Sequence, residues 1–91
     1  MQHATAATLQ QLATLLAALR ALPGLVEKRP GCFYRRGRAW LHFHDDPAGL
    51  FADVRLHGAD FTRLRISQPG EQAALLDTVR DALESGEAQA P

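Results

Sequence analysis

The sequence predicts an α+β fold, a two-layer sandwich in which two terminal helices cover one face of a four-stranded antiparallel meander (α-β-β-β-β-α). Leucines recur at three- and four-residue steps near both ends of the chain, which is typical of amphipathic helices. The middle of the chain alternates between apolar and polar residues in short runs, which is typical of strands. Short turns between these runs favour antiparallel pairing of consecutive strands.

The first predicted helix has alanines between its leucines, and alanine favours helix. Both Thr5 and Thr8 are possible N-caps, the latter with Gln11 as a capping box. Pro23 and Gly24 end the helix, because proline cannot continue the hydrogen-bond ladder. Residues 23–31 are predicted to form a loop. The leucines of the buried stripe are Leu9, Leu12, Leu16 and Leu19, with Leu15 and Leu22 at its edges.

Four strands are predicted to follow, at residues 32–36, 38–44, 50–56 and 61–66. Gly37 forms a short turn between the first two. Residues 45–49 form the next turn, because Pro47 suits the second turn position and Gly49 closes it. Residues 57–60 connect the last two strands.

The last helix is predicted over residues 69–85. Pro69 suits its first turn, and Glu71 complements the positive end of the helix dipole. Gly86 is the expected stop, followed by a frayed tail at 87–91. Residues 1–91 are therefore expected to form one domain. The buried stripe of the last helix contains Leu76, Val79 and Leu83.

The two faces of the predicted sheet differ in composition. One face is apolar and is expected to pack against the helices. The opposite face combines aromatic, histidine and arginine side chains, and we expect it to be the binding face. Its residues are Tyr34, Arg36, Trp40, His42, His44, Phe51, Asp53, Arg55, Arg63 and Arg65.

Composition and charge limit the possible classes of protein. With 46% hydrophobic and 22% charged residues, the chain is typical of a soluble globular domain. Residues 20–66 are basic and residues 67–91 acidic, which fits nucleic-acid binding or polar self-association. A lone cysteine, Cys32, excludes an internal disulfide and fits the cytoplasm. Without a spanning apolar stretch, no membrane association is expected.

Several short motifs resemble those of the MmcQ/YjbR-like proteins. These proteins have a leucine-proline-glycine at the end of a first helix, followed by a strand with a glycine and a basic residue. The resemblance implies a CyaY-like two-layer fold, suggests DNA binding and implies no catalytic residues. The matching segments are Leu22-Pro23-Gly24-Leu25-Val26-Glu27, Cys32-Phe33-Tyr34-Arg35, Arg36-Gly37-Arg38-Ala39-Trp40 and Gln68-Pro69-Gly70-Glu71 with Ala74-Leu75-Leu76.

Two binding functions are compatible with the predicted face. Trp40 and Phe51 among arginines are typical of a protein interface, with a homodimer as its simplest form. Alternatively, the arginines hold phosphates while the aromatic rings stack on bases, as in single-stranded nucleic-acid binding. No nucleophile-base arrangement, phosphate loop or metalloprotease motif is recognisable, so we expect a binding domain and not an enzyme.

A third interpretation concerns His42 and His44. They lie two apart on one predicted strand and therefore point to the same side. A metal ion such as zinc could bind them, with Asp45, Asp46 or Asp53 as a third ligand. The simpler interpretation is that both are polar residues of a half-exposed sheet. No resident cofactor is expected.

Overall fold

The computed structural model of the protein describes residues 2–89, and the side chains of residues 4–84. It confirms an α+β fold with an antiparallel sheet and helices towards both ends. The elements are β1 (Gln2–His3), α1 (Ala6–Gln11), α2 (Ala13–Arg20), β2 (Val26–Arg29), β3 (Cys32–Arg35), β4 (Arg38–Asp46), β5 (Gly49–His57), β6 (Asp60–Arg65) and α3 (Pro69–Gln89).

The sheet has more strands than the four predicted. Its antiparallel path runs β2-β3-β4-β5-β6, and β1 pairs with β4 near His44 and Asp45. Strand β2 lies within the predicted loop and was missed because three of its four residues are charged. It pairs with β3 across the turn at Pro30-Gly31, where the Glu27 carboxylate accepts a hydrogen bond from the Gly31 amide at 2.9 Å.

The first predicted helix is divided at Leu12 into α1 and α2. Of the two possible N-caps, Thr5 is the one used, because its hydroxyl accepts a hydrogen bond from the Thr8 amide at 3.2 Å. The Thr8 hydroxyl in turn donates to Asp45 Oδ2 at 2.8 Å. This bond ties the start of α1 to the far end of β4.

Helix α3 begins as predicted and ends later than predicted. At its start, Glu71 Oε1 accepts a hydrogen bond from the Gln68 amide at 2.9 Å. The helix continues through Gly86 to Gln89, so the expected stop and the frayed tail are wrong for residues 87–89; residues 90 and 91 lie outside the described part. A single glycine lowers helix propensity by only about 1 kcal/mol, and the neighbouring residues favour helix. Within residues 2–89, no helix is both long and apolar enough to span a membrane.

One core contains residues from the helices and from one face of the sheet. The apolar residues Leu41 and Phe43 of β4 and Ala52 and Val54 of β5 are all buried, as expected for the face that packs against the helices. They share the core with the leucines of α2 and with Leu75, Val79 and Leu83 of α3.

Trp40 departs from the two-residue alternation. The sequence assigns it to the outer face with His42 and His44, but its exposure is 5% and it belongs to the core. The register explains the error. Phe33 pairs with Leu41 while Tyr34 pairs with Ala39, so Trp40 is the extra residue of a β-bulge. A bulge shifts the alternation by one residue and turns this indole towards the core.

Candidate functional site

The outer face, defined as the sheet surface away from the core, brings together most of the predicted binding residues. His42 pairs with Asp53 across β4 and β5, and Asp53 pairs with Arg63 across β5 and β6. Directly paired residues point to the same side of a sheet. The next row contains His44, Phe51 and Arg65. We call His42, His44, Asp53 and Arg63 the outer-face cluster.

Asp53 is the centre of the outer-face cluster and is 6% exposed. The Arg63 guanidinium binds it as a fork, with Nε 2.8 Å from Oδ1 and Nη2 2.8 Å from Oδ2. His44 Nε2 lies 3.0 Å from Oδ2. The hydrogen bonds from Arg63 hold the pKa of Asp53 below its ordinary value, against the opposing effect of burial. The carboxylate is therefore ionised at neutral pH.

Phe61 is a member of the outer face that the predicted binding residues do not include. Its ring packs edge-on against the His42 ring, with centroids 4.8 Å apart, and the Arg55 guanidinium lies 4.2 Å from its centroid. Arg55 also donates from Nε to the Ala39 carbonyl at 2.7 Å and to the Ala59 carbonyl. Phe61 and Arg63 lie two residues apart on β6, so the alternation that places Arg63 on this face also places Phe61 there.

Most of the remaining predicted residues of the outer face lie around this cluster, whereas Arg36 lies in the turn between β3 and β4 and was wrongly assigned to this face. Phe51 is half-buried opposite His44. Tyr34 lies on β3, next to β4, and the Lys28 ammonium is 4.6 Å from its ring centroid. Arg65 is exposed on the edge strand β6. Cations thus cover two aromatic rings of this face, Tyr34 and Phe61.

The geometry selects one of the three carboxylates considered as a third metal ligand. The candidate ligand atoms of His42, His44 and Asp53 all lie within 4.8 Å of one another. Asp45 lies elsewhere and accepts the hydrogen bond from Thr8, and Asp46 accepts one from the Ala48 amide in the β4–β5 turn.

A groove of about 630 Å³ lies between the β3–β4 hairpin, the end of β5 and α3, and we call it the tip groove. Trp40 is one of the residues that line the tip groove, so its indole contributes to this surface and not to the outer face, where it was predicted. The groove is lined on the sheet side by Arg35, Arg36, Arg38, Trp40, Arg55, Leu56, His57 and Gly58, and on the helix side by Thr78, Asp81 and Ala82.

The hairpin at this groove has an unusual residue in its turn. Arg36 has φ 53° and Gly37 has φ 81°, so both central residues are in the left-handed region. Two-residue hairpin turns of this kind favour asparagine, aspartate or glycine, because a larger side chain is strained there. Arg36 is the sole non-glycine residue with positive φ in the described part of the chain.

The arginines of the tip groove differ in their hydrogen bonds and in their exposure. Arg35 Nη2 donates to the Leu83 carbonyl at 3.3 Å, and its guanidinium lies 5.8 Å from the Trp40 ring centroid. Arg36 and Arg38 are exposed, and they make no hydrogen bond or ion pair with the side chains described at residues 4–84. Sequence reasoning did not predict this groove, because it depends on where α3 lies against the hairpin.

Comparisons with protein-family models, with curated proteins and with solved structures find no match. The resemblance to the MmcQ/YjbR-like proteins therefore stays a prediction.

Proposed function

We propose that the protein is a small non-enzymatic binding domain that takes a phosphate-bearing ligand of about nucleotide size in the tip groove. The proposal rests on two exposed arginines, Arg36 and Arg38, which line the tip groove together with Arg35, Arg55, His57 and the buried indole of Trp40. Guanidinium groups remain charged at any physiological pH and match phosphate oxygens with pairs of parallel hydrogen bonds. The opposite wall of the groove consists of Thr78, Asp81 and Ala82 of α3.

The size and polarity of the tip groove support a compact ligand. Small-molecule pockets usually measure about 300–1,000 Å³, with an apolar lining and a few convergent polar groups. Here Trp40 and Leu56 supply apolar surface, and the helix side supplies Thr78 and Asp81. A ligand with a phosphate at one end and hydroxyl or amino groups at the other fits both walls, because Asp81 repels anions and accepts hydrogen bonds.

The strained backbone at Arg36 also supports a binding role. Residues in sparsely populated conformations cost about 1–3 kcal/mol and cluster at functional sites. An asparagine or glycine at position 36 would relieve the strain but would remove a cation from the tip groove. Arg36 therefore strains the hairpin and supplies a cation to the tip groove, as expected of a binding residue.

A long polyanion is less well supported than a compact ligand. Exposed acids on α3, namely Asp77, Asp81 and Glu84, would repel a nucleic-acid strand that continued past the groove. On the outer face, Asp53 already binds Arg63 as a fork. Trp40 is too deeply buried to stack on a base. Nucleic-acid binding is therefore the alternative, and the titration described next distinguishes it from binding of a compact phosphate ligand.

The fluorescence of Trp40 gives a direct test, because it is the single tryptophan of the chain. We would titrate the protein with inorganic phosphate, a nucleoside monophosphate and a short single-stranded oligonucleotide, and confirm binding by calorimetry. We expect saturable binding of the monophosphate with a shallow salt dependence, since few phosphate contacts are made. The double variant Arg36→Gln with Arg38→Gln should bind at least tenfold more weakly.

Arg29→Gln and Arg65→Gln are matched controls, because each removes an exposed arginine outside the tip groove. Both should bind as the unaltered protein does. Failure of the monophosphate to bind at millimolar concentration would contradict the proposal. Tight oligonucleotide binding that falls steeply with salt would instead favour the nucleic-acid alternative.

Self-association through the outer face is our second proposal, and one observation favours it. Phe61 is 36% exposed on β6, which is the terminal strand of the sheet path. Exposed aromatic residues beside arginines are typical of interface hot spots. The burial of Trp40 removes the largest side chain expected there. Light scattering at high concentration tests this proposal, and a strict monomer would contradict it.

A further inference from the structure

We propose that His42, His44 and Asp53 form a binding site for a divalent transition-metal ion of the zinc class. The site lies on the outer face, is separate from the tip groove and does not depend on the function proposed there. Two imidazoles and one carboxylate form a ligand set that zinc and similar ions accept. The ligand atoms of the three residues lie within 4.8 Å of one another.

The separation of two of these atoms already suits coordination. Neighbouring ligand atoms bound at about 2.1 Å lie about 3.0–3.4 Å apart, depending on the coordination angle. His44 Nε2 and Asp53 Oδ2 are 3.0 Å apart in an ion-pair contact, and a metal ion that took the place of the proton between them would keep about this separation. The His42 ring, whose centroid is 4.9 Å from that of His44, would need to bring its ligand nitrogen closer to the other two atoms to complete the site.

The scaffold under the site is rigid. His42 and His44 come from β4, and Asp53 comes from β5 in direct register with His42. Both strands are interior to the sheet, with neighbours on each side along most of their length. Sites built on such strands hold their ligands more precisely than sites built on loops.

Neighbouring residues orient the proposed ligands. The Arg63 fork fixes the plane of the Asp53 carboxylate, as hydrogen-bond donors commonly do for metal-binding carboxylates. Phe61 packs edge-on against the His42 ring. The side chains of His44 and Asp53 are 11% and 9% exposed, so both proposed ligands are largely shielded from water. The charge of Arg63 opposes a cation, and we expect moderate affinity.

A titration with Zn²⁺, measured by calorimetry in a buffer that does not bind metal, tests the proposal. We expect one ion per chain. His42→Ala, His44→Ala and Asp53→Asn should each weaken binding at least tenfold. His57→Ala is the matched control, because His57 is an exposed histidine at the end of the same strand as Asp53. This variant should bind Zn²⁺ with the affinity of the unaltered protein.

Nuclear magnetic resonance of the unaltered protein gives a readout that does not depend on the folding of any variant. Zn²⁺ should shift the imidazole nitrogen signals of His42 and His44 and leave those of His57 in place. Absence of binding at millimolar Zn²⁺ would overturn the proposal. Binding that shifts the His57 signals instead, or that survives all three cluster variants when they are folded, would overturn it as well.

Discussion

The arginines of the outer face and those of the tip groove have the same side chain in different surroundings. Arg63 of the outer face binds the buried Asp53 as a fork. Arg55 borders both regions: it covers the Phe61 ring, lines the tip groove and donates to two backbone carbonyls. Arg36 and Arg38 extend into solvent at the hairpin. An arginine that already neutralises a neighbour stabilises the fold, whereas an exposed one can bind an anion without first losing a partner. The number of arginines on a face is therefore a poor guide to binding.

The two regions also use aromatic residues differently. Trp40 belongs to the core under the tip groove, while Phe61 lies half-exposed on the outer face. We therefore expect the loss of Trp40 to destabilise the fold most and the loss of the Asp53–Arg63 ion pair to destabilise it less, whereas replacing Arg36 should stabilise it.

The largest expected effect is the loss of Trp40. We expect Trp40→Ala to lower the free energy of unfolding by about 3–5 kcal/mol, because it removes a buried aromatic ring and leaves a cavity. Phe61→Ala should lower it by less than about 1 kcal/mol, since that ring is half-exposed. Urea unfolding followed by circular dichroism measures both variants without relying on tryptophan fluorescence. Equal losses in the two variants would contradict the assignment of Trp40 to the core.

The next effect concerns the ion pair of Asp53. At neutral pH, Asp53→Asn should lower the free energy of unfolding by about 1–3 kcal/mol, because it removes a charged hydrogen-bond acceptor. The pKa of Asp53 lies below its ordinary value of 3.8 in the folded protein, so the unfolded chain binds more protons near that pH. The contribution is therefore complete above about pH 5, begins to fall near the ordinary pKa and is lost as the pH falls through the folded pKa.

Chemical unfolding from pH 7 down to pH 2 measures this dependence. The difference between the unaltered protein and Asp53→Asn should shrink as the carboxyl group becomes protonated. Asp60→Asn is the control, because Asp60 is exposed at the start of β6. A difference for Asp53→Asn that stays constant with pH would show that the charge of Asp53 does not stabilise the fold.

The smallest effect is a gain in stability at the hairpin. We expect Arg36→Asn to raise the free energy of unfolding by about 0.5–1 kcal/mol, because asparagine tolerates the left-handed region better than arginine. The same variant should weaken phosphate binding in the tip groove. Arg38→Asn is the control, since Arg38 lies in β4 outside the left-handed region and should gain no stability. A stability loss in Arg36→Asn would refute the argument from strain.

The sequence predicted those elements whose hydrophobic pattern is strong. The leucine steps located the N-terminal helical segment and α3, and the alternation of Leu41 with Phe43 and of Ala52 with Val54 identified the core face of β4 and β5. Strand β2 was missed because its charged residues show no buried set. Of the candidate site, the pairing of His42 and His44 on one face followed from their spacing, whereas the choice of Asp53 required the register between β4 and β5.

The sequence by itself determined the α+β class, the core residues of the central strands and the polar outer face that carries two histidines and Asp53. These features depend on local periodicity, that is, on the spacing of apolar and polar residues along the chain. The tertiary structure alone decided the position of Trp40 and the existence of the tip groove. A bulge depends on how two strands align, and a groove depends on where a distant helix packs, so neither can be derived from the spacing of nearby residues.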